Sequence, residues 1–368
     1  MDPIKVIKGF RPLHFIGNQI LFSKGFGLYL SDELCEKFTY IGKIPHSFGL
    51  TIKSLFRWSS RIFRSGAAPG CVLSEKNVLL FENRRIWLVD VEKKSIDIDH
   101  LIQRGSRPLS IAFLDDILGF ERFICCYGEY WENVPKDEVR IWGRGKDGIW
   151  HIAYTFPEGI IEHVHAIIPD KERDFVWILT GDFENGAGPW KATDNFSCVE
   201  PVLVGQQDYR SVWLFFSGGD IYYATDSQLE KNSFRKLVIN DTKFSSDFVS
   251  SIPGSSIYAC VVGDSLYFST TVEPGMPKGR VLYDLFDSKI GPGIESDKAV
   301  LFVWSQGSGL QKIMALKKDI LPPRLFQFGS FSFPLGNNPI QNKLFTYVTA
   351  LSKYDGCTIV FDLEELSA

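Results

Sequence analysis

Short apolar runs recur along the whole chain, each stopped by Gly, Asp, Asn, Ser or Pro, and almost nothing keeps a helical period. Gln19-Ile20-Leu21-Phe22-Ser23, Arg85-Ile86-Trp87-Leu88-Val89, Val176-Trp177-Ile178-Leu179 and Leu266-Tyr267-Phe268-Ser269 are examples. Runs this short, rich in β-branched and aromatic residues and bounded by turn formers, read as strands. Leu310 to Lys318 is the best helical segment, and it fits an outer strand equally well. The chain is therefore expected to be all-β.

The runs also repeat as a weak unit: a strand, a turn containing Asp, then a second strand. Leu28-Tyr29-Leu30-Ser31-Asp32 precedes Phe38-Thr39-Tyr40-Ile41-Gly42, and Ala-Thr-Asp occurs at both 192 and 224. Repetition of a strand unit that cannot bury its own face predicts a ring of stacked sheets. Units starting near residues 13, 58, 107, 160, 206, 246 and 323 give a single β-propeller domain over 1–368. Seven blades are favoured, with six as the alternative if the terminal strands complete the first unit. Either way the terminal strands are expected to close the ring, because closure removes exposed sheet edges. Residues 272–298, with Pro274, Gly275, Pro277, Gly291, Pro292 and Gly293, read as an inserted loop.

Bulk properties narrow the function classes. A net charge of -4 gives no electrostatic footprint for nucleic acid. No run approaches the length of a membrane span. The seven cysteines include no Cys-x-x-Cys pair, which argues against a disulfide framework or structural zinc and for a reducing, cytoplasmic setting.

Reactive residue types concentrate between Tyr127 and Arg210. His163 and His165 alternate within Glu162-His163-Val164-His165-Ala166, and on a strand such positions share a face. Two imidazoles on one face suit acid–base work, anion binding or, with Asp182 or Glu129 as a third ligand, a metal. No cofactor is expected otherwise. Glu129 lies between the phenols of Tyr127 and Tyr130, a setting that can raise a carboxyl pKa for general-acid work. Thr180-Gly181-Asp182 ends an apolar strand. Gln207, Tyr209 and Arg210 open the next unit, and the Arg fork suits a carboxylate or phosphate. Arg64 joins the candidate substrate-binding set, because loops at one propeller mouth converge.

The succession Tyr127-Gly128-Glu129-Tyr130, Val139-Arg140-Ile141-Trp142, Asp147-Gly148, His163-x-His165, Thr180-Gly181-Asp182 and Tyr209-Arg210 resembles bacterial sialidase-like propeller proteins associated with polysaccharide gene clusters. In that family Asp-box turns staple the hairpins of each blade. The resemblance implies mainly structural roles for Asp147, Asp194 and Asp226, and a carbohydrate ligand at the propeller mouth.

Together these readings give a carbohydrate-active protein working on an acidic or nucleotide-linked sugar or a surface polysaccharide. Glu129, His163, His165, Asp182 and Tyr127 are the candidate catalytic residues. Arg210, Tyr209, Gln207, Tyr130 and Arg64 are the candidate substrate-binding residues. Hydrolysis would use the carboxyl pair Glu129 and Asp182; elimination from a uronic acid would use a His or Tyr base with an Arg beside the carboxylate. The alternative is a non-catalytic glycan-binding or scaffold propeller.

Overall fold

A computed structural model describes residues 1–47, 49, 56–105, 107–114, 116–181, 185–240, 243–340 and 342–364. Its strands form seven four-stranded antiparallel sheets, the blades of a seven-blade β-propeller. The first six blades each take four consecutive strands. Blade one runs from Arg11–Ile16 to Phe38–Lys43, blade two from Ala68–Val72 to Ser95–Leu101, and blade three from Ala112–Phe113 to Trp150–Phe156. Blade four runs from His163–Asp170 to Cys198–Pro201, blade five from Phe215–Ser217 to Lys243–Ile252, and blade six from Tyr258–Val262 to Gly309–Lys317.

Blade seven is built from both ends of the chain. Ser330–Ser332, Lys343–Thr349 and Cys357–Asp362 supply three strands, and Lys5–Lys8 pairs antiparallel with Cys357–Asp362 as the fourth. The N-terminal strand thus covers an edge that would otherwise expose unpaired backbone groups. It completes the last blade rather than the first, so the count stays at seven.

The chain divides into two compact units. The first comprises Met1–Ala68, Ser227–Asn232 and the stretch from Ser250 onward; the second comprises Pro69–Asp226 and Ser233–Val249. In the second unit, blades three and four share a core that includes Phe120, Phe123, Val139, Ile141, Phe156, Val164, Val176, Ile178 and Trp190. In the first, Leu301, Val303, Phe331, Leu344, Ile359 and Phe361 form a corresponding cluster. Sequence pattern explains the layering within a blade. Phe175–Gly181 is apolar but for Thr180 and fully buried, whereas the outer strand Lys243–Ile252 alternates Ser, Asp and Phe and is mostly exposed.

Of the two readings open for Leu310 to Lys318, the structure takes the strand: Gly309–Lys317 pairs with Lys298–Ser305 as the outer strand of blade six. Three short helices that the sequence did not signal, Arg57–Ile62, Val281–Phe286 and Pro323–Phe326, lie in connections of the first unit. The second of these sits inside the 272–298 excursion, between the strands Ser265–Ser269 and Lys298–Ser305. All seven cysteines are free.

Candidate functional site

The second unit gathers His163, His165, Tyr130, Gln207, Arg210 and Asp226. His163 opens the first strand of blade four and pairs with Gly181; Val164 pairs with Thr180 and Ala166 with Leu179. His165 is the extra residue between these pairs, a β-bulge. A bulge re-aims the side chain it carries. Here it brings the two imidazoles together, with ring centroids 5.0 Å apart and planes 29° from parallel.

Glycines make the room. A Cβ on Gly181 would lie 1.8 Å from His165 Nε2, so the ring rests directly on this backbone. A Cβ on Gly128 would lie 2.3 Å from Val164 Cβ, so the strand Cys125–Gly128 closes against the start of the His163–Asp170 strand. The Val164 N–H then donates to the Glu129 carbonyl at 3.1 Å. This contact holds the following segment, including the Trp131 carbonyl, beside His163.

Main-chain carbonyls fix both tautomers. His163 Nδ1 lies 3.1 Å from the Trp131 carbonyl oxygen, and His165 Nδ1 lies 3.0 Å from that of Ser211. A carbonyl only accepts, so each Nδ1 carries the proton. The two Nε2 atoms face each other at 3.1 Å. Two neutral rings would then oppose lone pair to lone pair. The contact is therefore poised to take up one cation between the rings, a shared proton being the smallest.

The electrostatic surroundings are asymmetric. His165 is completely enclosed, and burial, with the Arg210 charge adding to it, lowers its pKa to about 3. Arg210 reaches Asp226 at 3.7 Å and donates to the Gln207 side-chain oxygen at 3.4 Å. Burial raises the pKa of Asp226, opposed by Arg210, and its carboxylate lies 4.0 Å from His165 Nδ1. Glu162 lies 3.9 Å from His163 Nδ1. The ring of Tyr130, only half-buried, stands edge-on to His163 at 4.6 Å.

The other sequence candidates are placed differently. Glu129 is buried, and its two oxygens accept the Arg140 backbone N–H at 3.0 Å and the Trp142 indole N–H at 3.1 Å. Both described bonds are ones that hold a carboxylate in a blade. Tyr127 points to blade two, where its hydroxyl meets His100 Nε2 at 3.0 Å, and burial raises its pKa. Tyr209 is half-buried in the turn Gln207–Tyr209. Arg64 belongs to the first unit, where it is exposed at the end of the Arg57–Ile62 helix. Asp182 lies outside the described residues.

Asp226 was missed. Its Ala-Thr-Asp triplet reads like the one at 192, where Asp194 accepts the Ser197 hydroxyl at 3.0 Å in a surface turn. Thr225, Asp226 and Ser227 are instead all buried. A polar triplet directly after the apolar strand Asp220–Ala224 was the available signal. Asp147 does staple its turn, accepting the Ile149 N–H at 3.0 Å. Apart from this cluster, an open cleft of about 280 Å³ lies in the first unit, with Lys24, Lys43, His46 and Tyr40 among its lining residues.

Comparison with known proteins defines the class and goes no further. No protein-family model matches the chain, and no curated protein matches it in sequence. Among solved structures, an oligogalacturonate lyase in complex with manganese is similar with a TM-score of 0.59 at 10% identity, over 99% of this chain and 92% of that one. An oligogalacturonate lyase from Vibrio parahaemolyticus is similar with a TM-score of 0.59 at 12% identity, over 97% and 91%. A chain of the mitotic checkpoint complex reaches 0.53 at 9% identity, over 98% and 91%. The proteins so named do different things, and the likeness is one of fold: this chain is a seven-blade β-propeller.

Proposed function

We propose that the second unit binds an acidic carbohydrate over Tyr130 and the paired histidines, and cleaves it by elimination. The carrying observation is the opposed Nε2 pair of His163 and His165 beside the Arg210 charge. Two neutral rings with opposed Nε2 lone pairs can take one proton from substrate, hold it between them and release it again. In this reading the pair removes the proton from the carbon that bears the sugar carboxylate. The electron pair forms a double bond to the neighbouring carbon, the glycosidic C–O bond there breaks, and the leaving oxygen is reprotonated. Atoms balance without water or any co-reactant. The Arg210 charge favours the negative charge that builds on the carboxylate side. His163, less enclosed than His165, and Tyr130 would be the groups a sugar meets first.

Hydrolysis has less support, because it needs two carboxyl groups facing the scissile bond. Glu129 is held by Trp142 and the Arg140 backbone instead. The manganese of the lyase neighbour raises a second cation for the pair. Among the described residues no group of three or more His, Cys, Asp or Glu side chains could hold a metal. The donor set is thus two imidazoles, and no step is assigned to a metal.

The test is incubation of the purified chain with uronate-containing glycans, polygalacturonate first. Elimination gives an unsaturated uronate that absorbs in the ultraviolet. Reducing ends without new absorbance would make the protein a hydrolase. Binding without turnover would leave a glycan-binding propeller, and activity abolished by chelator and restored by manganese would put a metal in place of the proton.

A further inference from the structure

We propose that the first unit carries a docking surface for anionic lipid bilayers, built from the Arg57–Ile62 helix and the 276–290 excursion. The inference is independent of the second unit's site and does not depend on its chemistry.

The excursion is rigid at its base and apolar at its tip. Glu273 accepts the Ser255 hydroxyl at 2.9 Å, Gly291 N–H donates to the Glu273 carbonyl at 2.9 Å, and Arg324 donates to the Gly275 carbonyl. Asp284 is buried at the helix and accepts the backbone N–H groups of Lys278 and Arg280, both at 2.9 Å. Beyond these anchors the side chains turn outward: Val281 is 75%, Leu282 74% and Phe286 60% exposed. The Pro323–Phe326 helix touches both this helix and Arg57–Ile62. On the latter, Phe56, Trp58 and Phe63 are exposed too, with Trp58 at 55%. Arg61 fixes that helix through Asp319 at 2.5 Å and the Phe326 carbonyl at 2.6 Å. Exposed apolar side chains gathered on elements that pack on one shared helix mark an interaction site, and these anchors hold both elements in place.

Charge selects the occupant. The exposed cations Arg64, Lys278, Arg280 and Lys289 stand close in sequence to the apolar side chains, Lys278 paired with Asp287 at 3.8 Å. The stretch from Lys37 to Ser74 carries Lys37, Lys43, Lys53, Arg57, Arg61 and Arg64 and no Asp or Glu, although the whole chain is net negative. The cleft lined by Lys24, Lys43 and His46 adjoins it, since Gly66 packs against the Gly25 carbonyl on the cleft rim. Exposed Trp, Phe and Leu accompanied by Lys and Arg is the composition of a surface that inserts shallowly into a headgroup layer. A second copy fits less well, because a self-complementary interface would set these cations against each other.

The experiment is co-sedimentation of the full chain with vesicles of phosphatidylcholine alone and with phosphatidylserine added. Binding should require the anionic lipid and fall with salt. The double substitution Leu282→Ser/Phe286→Ser should abolish it, and Arg64→Gln or Lys289→Gln should each weaken partitioning by about fivefold, roughly 1 kcal/mol for the one charge removed. Circular dichroism checks that these surface variants stay folded. No binding, equal binding to neutral vesicles, or binding indifferent to the substitutions overturns the proposal. So does a concentration-dependent dimer that the Leu282→Ser/Phe286→Ser variant breaks, which would give the surface to a second copy.

Discussion

His163 and His165 face each other through their Nε2 atoms at 3.1 Å, while the Nδ1 of each ring is committed to a main-chain carbonyl. Neither ring can rotate to relieve the contact without losing its carbonyl. The pair should therefore behave as one group. His163→Ala and His165→Ala are each expected to lower turnover of a uronate glycan by about 100-fold or more. The double variant should be little worse than either single one, because residues acting as a unit are not additive. Initial rates from product absorbance would measure this, and additive losses would separate the two histidines.

Gly181 supplies a test of the geometry that needs no substrate. A Cβ there would overlap His165 Nε2 at 1.8 Å. Gly181→Ala should cost about 1–3 kcal/mol, as overpacking does. In a His165→Ala background the clash disappears, so the cycle should show a coupling of about 1 kcal/mol or more. Urea denaturation of the four proteins measures it. An uncoupled result would mean that the ring does not rest on this backbone.

How much of this was legible in the sequence differs between fold and site. Strand runs such as Val176-Trp177-Ile178-Leu179 report their own burial, and seven such units gave the blades. Closure by Lys5–Lys8 was also foreseeable, since an open edge must be covered. The site was legible where residues act through local spacing, as with His163 and His165. It was not legible where the deciding partner lies on another strand. Glu129 looked available between two phenols, yet the Trp142 indole on the neighbouring strand takes one of its oxygens. Asp226 shares its triplet with the surface region at 192–194, and only the fold buries one copy beside Arg210. Gly181 read only as part of the end of an apolar strand, whereas its lack of a side chain leaves space for the His165 ring.

Glu129 can be sorted by stability. Glu129→Gln keeps the size but replaces one accepting oxygen with a donor that faces an N–H. An unsatisfied buried donor costs about 1–3 kcal/mol. The variant should lose that much stability while the folded fraction keeps its activity. Unchanged stability with lost turnover would return Glu129 to a catalytic role.

Acid should destabilise the protein through its buried histidines. Burial holds both His14 and His165 at a pKa of about 3 when folded. In the unfolded chain a histidine titrates near 6.5, so it is the unfolded state that takes up protons first. Above pH 6.5 neither histidine makes stability pH-dependent. As pH falls from about 6.5 toward 3, each should subtract up to about 1.4 kcal/mol per pH unit. Denaturation midpoints at pH 7.5, 5.5 and 4.5 would show the decline. His14→Gln should flatten it, and an unchanged slope in that variant would place the proton uptake elsewhere.

Asp226 is where the charge balance of the site is most exposed to substitution. Arg210 is buried beside His165, and its charge helps keep that ring neutral. Asp226 lies 3.7 Å from the guanidinium and is itself fully enclosed. Removing one member of a buried pair leaves the other's charge poorly compensated, at a cost of about 3 kcal/mol. Asp226→Asn should therefore destabilise strongly. Arg210→Met/Asp226→Asn should recover part of the loss, because no lone charge then remains. Activity should divide differently. If Arg210 favours the negative charge developing on substrate, the double variant stays slow although it is more stable than Asp226→Asn. Measuring urea midpoints and turnover on the same preparations separates the two effects. Recovery of both together would reduce Arg210 to a structural partner of Asp226.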